Sequence, residues 1–76
     1  GAARLKRFEM VLQYPTITAA AADLGLRQPV LTSQITRLEG ELGGALIERA
    51  QRGRAMTITK RGARVLRAWK AWKRTT

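Results

Sequence analysis

The sequence predicts a mostly α fold: a bundle of three short helices, a small β-hairpin, and a long final helix. Three observations carry that expectation. Apolar residues recur at helical spacing in separate stretches, for example Leu31, Ile35, Leu38 and Leu42. Residues that start or stop helices bound these stretches: Pro15, Thr16, Gly25, Pro29, Gly43-Gly44 and Thr59. Between residues 45 and 58 the pattern changes to two short apolar runs around a glycine turn. With 76 residues there is room for one domain, 1–76, and no second core.

Gly1-Ala2-Ala3 is read as an added or disordered start. The first helix is expected over Arg4–Tyr14, with Leu5, Phe8, Val11 and Leu12 on one side, and Pro15 stops it because the residue before a proline avoids the helical region. Thr16 caps the second helix, whose Ala19–Ala22 run permits close helix contact. Gly25 ends that helix in a left-handed conformation, and Leu26 tucks under the turn. The third helix opens at Gln28-Pro29, where proline lacks only an N–H that has no helical partner, and runs to Leu42. Its weak point is Arg27, which stands where a Ser or Asp cap belongs, a loss of about 1 kcal/mol.

Ala45–Arg49 and Ala55–Ile58 form the two arms of the hairpin, with Arg52 and Arg54 at its tip, so residues 4–58 hold the core and hairpin. Thr59 caps the last helix, Lys60 to about Lys73, in the basic segment 59–76. There Val65, Leu66, Trp69 and Trp72 fall on one side with Gly62, while Lys60, Arg64, Arg67 and Arg74 fall on the other. Gly62 implies close packing against another helix. The tryptophans are expected to pack on the first helix or on a partner chain.

Composition excludes several kinds of function. Without cysteine or histidine, the chain has no disulfide or thiolate metal site and lacks the commonest general base. No coherent acid–base or nucleophile set remains for catalysis, and no cofactor is expected. No apolar run approaches the ~18 residues of a membrane span. The net charge is +10, unevenly placed: through Glu48 five basic residues balance five acids, whereas Arg49 onward carries ten basic residues and no acid. That asymmetry points to a polyanion, nucleic acid before an anionic membrane.

The third helix sets its leucine side against a face of Gln28, Thr32, Ser33, Thr36 and Arg37. These short or planar hydrogen-bonding groups suit base edges and phosphates in a major groove, although an ordinary surface helix also shows a polar face. Arg27 is placed to grip a phosphate, and Arg52 and Arg54 to probe a minor groove or phosphate, with a loose basic loop as the plain alternative.

Taken together, Leu5-x-x-Phe8, Thr16-Ile17-Thr18, Ala20-Ala21, Gln28-Pro29-x-Leu31, Gln34-Ile35-x-x-Leu38-Glu39-x-Glu41-Leu42-Gly43, Glu48-Arg49, Arg52-Gly53 and Thr59-x-x-Gly62 resemble the N-terminal winged helix-turn-helix domain of LysR-type transcriptional regulators. The resemblance implies that Gln28 to Arg37 enter the major groove, with Gln28, Pro29, Val30, Thr32 and Ser33 meeting bases or backbone. It implies that Thr18 holds a phosphate, that the wing reaches the flanking groove through Arg52 or Arg54, and that the last helix pairs in a dimer. The chain departs from the family pattern at Ala19, where a basic residue is usual, and at Arg27, usually Ser. Ser33 replaces an Arg, Ile47 replaces a Phe, and the segment from Arg49 to Thr59 is a residue or two longer than usual.

The sequence is therefore read as a double-stranded DNA-binding transcriptional regulator, a homodimer through Val65, Leu66, Trp69 and Trp72 of the last helix. It is expected to act in the bacterial cytoplasm at the nucleoid, without a membrane or small-molecule effector site in these residues. It is either a fragment of a larger regulator or a stand-alone binder. Competing readings are an architectural DNA binder of low specificity and a membrane or protein-docking module built on Lys60–Arg74.

Overall fold

The computed structural model describes residues 2–75. In order these form α1 (Ala2–Val11), α2 (Ile17–Leu24), α3 (Gln28–Glu41), β1 (Ile47–Glu48), β2 (Thr57–Ile58) and α4 (Lys60–Thr75). This is the mostly α architecture expected, with the hairpin between the third and fourth helices. Phe8 and Val11 of α1, Ile17, Ala20 and Ala21 of α2, and Leu31, Ile35 and Leu38 of α3 share one buried core. Leu46, Ile47 and Met56 extend it under the hairpin.

Helix α1 begins at Ala2, within the stretch read as an added or disordered start; Gly1 lies outside the described residues. It stops at Val11, ahead of Pro15, and the chain turns through the bonds Gln13 N–H to Met10 C=O and Tyr14 N–H to Val11 C=O, both 3.1 Å. The Thr16 hydroxyl accepts the Ala19 N–H at 2.9 Å, as the cap reading requires. Gly25 is left-handed, φ 71°, and the Leu26 N–H closes the helix end on the Ala21 carbonyl at 2.9 Å.

Arg27 makes no side-chain cap on α3, so the first turn has the open N–H groups anticipated from the sequence. The other end is well held. The Gly44 N–H reaches the Glu39 carbonyl at 3.0 Å, and Arg61 Nη1 donates to the Leu42 carbonyl at 2.9 Å. A guanidinium there also complements the negative end of the helix dipole. Glu39 ties α3 to the hairpin. Its Oε2 accepts the N–H groups of Leu46 (2.8 Å) and Ile47 (3.3 Å), while Oε1 lies 3.4 Å from Arg49 Nη2.

The hairpin pairs Ile47 with Ile58 and Glu48 with Thr57, so each strand has two residues rather than the longer runs expected. The Met56 N–H explains the interruption, because it donates to the Pro15 carbonyl at 2.9 Å instead of across the hairpin. Pairing resumes at Gln51 and Arg54, whose reciprocal bonds of 3.1 and 2.8 Å close a turn on Arg52-Gly53. Gly53 supplies the positive φ, 64°.

The Thr59 hydroxyl accepts the Gly62 N–H at 2.9 Å and donates to the Ala45 carbonyl at 2.7 Å, capping α4 and seating it on the hairpin. Gly62 does require close approach, but to the backbone just before β1 and not to a helix. A Cβ at that position falls 2.1 Å from the Leu46 carbonyl oxygen. Trp69, 7% exposed, packs on α1 and donates its indole N–H to Glu9 Oε1 at 2.7 Å; Lys73 Nζ sits 2.7 Å from the same oxygen. The Lys73 ammonium, then the Trp69 N–H, hold the Glu9 carboxyl below its ordinary range.

Candidate nucleic-acid interface

The interface is built on the back of α3. Leu31, Ile35 and Leu38 are 0%, 1% and 3% exposed, and sinking them into the core fixes which residues point away. Gln28, Pro29, Val30, Ser33, Thr36 and Arg37 are all exposed, so six of the seven residues expected on the outer side of α3 are there together. Val30 gives this face an apolar spot.

Thr32 is the exception. It is half-buried, and its Oγ1 is buried with no hydrogen-bond partner among the described residues. The hydroxyl expected to read bases therefore faces inward. Thr32 follows the fully buried Leu31 and lines a trough with Thr16 and Ile17, on the flank that α2 covers.

Two concavities flank the exposed ridge of α3. On the α2 side a trough of ≈410 Å³ is lined by Thr18, Gln28, Arg49 and Ala50 along with Thr32. Thr18, exposed in the first turn of α2, thus lines the same trough as Gln28. On the α1 side a broader trough of ≈790 Å³ is lined by Arg4, Arg7, Ser33, Gln34, Thr36 and Arg37. Arg27 is exposed at the head of α3 and borders neither trough closely.

At the hairpin tip Arg52 and Arg54 are exposed, and among the described residues neither guanidinium has an ion-pair partner. Two uncommitted cations project there on a closed turn, which suits a phosphate backbone or a narrow groove.

Sequence reasoning missed Arg49, Arg4 and Arg7 as parts of this surface. Arg4 and Arg7 stand three apart on a helix and so share a face, a signal that was present in the sequence. Arg49 stands in the Glu48-Arg49 motif, but its place beside α3 depends on Glu39 and the hairpin.

The four residues expected at a dimer contact separate. Val65 and Leu66 are partly buried against the chain's own core and Trp69 is buried, whereas Trp72 is 53% exposed and stacks on Trp69 with ring centroids 5.5 Å apart. Trp72 borders an apolar groove of ≈400 Å³ with Ala2, Leu5, Leu42, Val65 and Ala68. Among the described residues no cluster of acidic, His or Cys side chains is placed to hold a metal, and no helix is long and apolar enough to cross a membrane.

Comparison with known proteins agrees with this geometry. Residues 2–63 match the family model described as bacterial regulatory helix-turn-helix protein, lysR family. The chain is 45% identical over 53 residues to the HTH-type transcriptional regulator BudR of Raoultella terrigena, covering 70% of this chain and 18% of that protein. It is 49% identical over 51 residues to the HTH-type transcriptional regulator AbaB of Streptomyces antibioticus, covering 67% of this chain and 17% of that protein. The chain thus spans about a fifth of the length of the curated relatives it matches. Among solved structures it is similar to the DNA-binding domain of CbnR in complex with DNA, with a TM-score of 0.81, 31% identity, and coverage of 99% of this chain and 84% of that one. The BenM DNA-binding domain bound to benA site 1 DNA matches with a TM-score of 0.81 and 31% identity over 99% of this chain and 85% of that one. With residues 2–63 matched by the family model and α3, the wing and α4 in these places, this chain belongs to the LysR family of bacterial regulatory helix-turn-helix proteins.

Proposed function

We propose that this chain is the DNA-binding part of a transcriptional regulator, acting on the nucleoid in the bacterial cytoplasm, that reads duplex DNA with α3 in the major groove. The observation that carries the reading is the split of α3 into a buried leucine–isoleucine side and an exposed side of amide, hydroxyl and guanidinium groups. Gln28, Ser33 and Thr36 meet base edges, and Pro29 and Val30 offer apolar contact to a thymine methyl. Thr18, Arg27 and Arg37 bind phosphates and set register, while Arg52 and Arg54 follow the backbone or the flanking minor groove. Support also comes from the two structurally similar domains whose structures contain DNA.

The chain pairs with a second copy through α4. Exposed Trp72 and the apolar groove beside it favour that contact, while Trp69, Val65 and Leu66 support it from beneath. In vitro selection from randomised duplexes tests the function. Enrichment of one site composed of two spaced half-sites is expected. Recovery of unenriched sequence by a chain that still binds DNA overturns sequence-specific reading.

A further inference from the structure

A helix seated in a major groove has a phosphate strand on each side of it, so both flanks of α3 need cationic or hydrogen-bonding groups. The α2 flank has Thr18 and Arg49. The larger concavity on the α1 flank holds three arginines from two helices, Arg4 and Arg7 of α1 and Arg37 of α3, beside Ser33 and Thr36. No acid lines it. We propose that this α1–α3 trough is a phosphate-backbone site, in which Arg4 and Arg7 hold the DNA strand on that side of the recognition helix. The inference rests on the DNA-binding reading above and adds to it a role for helix α1.

The local bonds fit this role. Arg7 Nη1 reaches Gln34 Oε1 at 3.4 Å, a long contact that orients the guanidinium toward α3 while leaving its other donors available. Arg4 is paired with Glu41 at 3.2 Å, but both side chains are partly exposed and a phosphate oxygen competes with that carboxylate. Arg4 Nη1 is buried without an acceptor among the described residues, and a phosphate would supply one if the side chain swings outward. Arg37 has no ion-pair partner among the described residues and lies on the same wall.

The test is fluorescence anisotropy with a labelled duplex of unrelated sequence, titrated at several salt concentrations between about 50 and 200 mM. Arg7→Gln is expected to make the slope of log affinity against log salt shallower by ~0.9, and Arg4→Gln with Arg7→Gln by ~1.8. Arg7→Lys keeps the charge and is expected to keep the wild-type slope, which separates phosphate binding from a structural use of the side chain. Glu41→Gln is expected to tighten binding by releasing Arg4. Unchanged affinity and slope in the double variant, with wild type binding duplex normally, overturn the trough assignment and leave the DNA reading standing. Absence of duplex binding by wild type overturns both. Should the double variant melt well below wild type, the decision passes to Glu41→Gln and Arg7→Lys: no tightening in the first or a lost slope in the second counts against the site.

Discussion

Helices α3 and α4 are both amphipathic, yet they divide the work of the domain differently. The outward side of α3 carries amides and hydroxyls with a single arginine, and its inward side is almost fully buried. In α4 seven of sixteen residues are lysine or arginine with no acid, and only Gly62 and Trp69 are buried. Short polar groups distinguish one base edge from another, because each pairs in a fixed geometry. A run of ammonium and guanidinium groups attracts any polyanion and distinguishes little. On the proposed reading, the discriminating groups sit on α3, which buries more apolar side chains than α4 does. The domain keeps most of its charge on the helix and turn at the margins.

The sharpest way to break this contrast is to disturb what fixes α3. Leu31 is fully buried, and Leu31→Ala is expected to lower stability by about 2–5 kcal/mol. For a domain this small that approaches the whole margin of ~5–15 kcal/mol, so urea denaturation should show a large drop in midpoint. Gly62→Ala attacks the seat of α4 instead. Its new methyl meets the Leu46 carbonyl, which is backbone and cannot swing aside, so a loss of about 1–3 kcal/mol in thermal or urea melting is expected.

Two smaller effects sharpen the comparison. Arg52→Ala with Arg54→Ala should weaken binding to all duplexes alike and flatten the salt dependence by up to ~1.8 units without altering sequence preference. The Glu9 tie between α1 and α4 responds to acid. Because its carboxyl is held below the ordinary 4.5, its contribution is complete above that value and disappears as pH falls through the lowered one. Partial exposure keeps this to roughly 0–1 kcal/mol. Trp69 fluorescence should register the acid transition in wild type and lose it in Glu9→Gln.

Much of the fold was legible because its signals are local. Thr16, Gly25 and Thr59 act within their own turns, and the leucine spacing of α3 needs no knowledge of neighbours. Apart from the shared face of Arg4 and Arg7, what escaped depends on contacts between segments far apart in the chain. Trp69 and Glu9 are 60 residues apart, and the strand length was cut by a bond from Met56 to Pro15. Thr32 belongs to the polar side by periodicity, but periodicity does not say how far α2 covers that flank. The Glu39 carboxylate likewise sits in a recognisable motif, yet its use as an acceptor for two hairpin N–H groups emerges only once α3 and the hairpin meet.

The central claim is that the outward side of α3 reads bases while the basic periphery supplies affinity. It is tested most directly by comparing wild type and Gln28→Ala on a selected site and on an unrelated duplex at one salt concentration. The account predicts that the variant loses about 1–3 kcal/mol of preference for the selected site and binds the unrelated duplex as wild type does. An unchanged preference, or an equal loss on both duplexes, would contradict it.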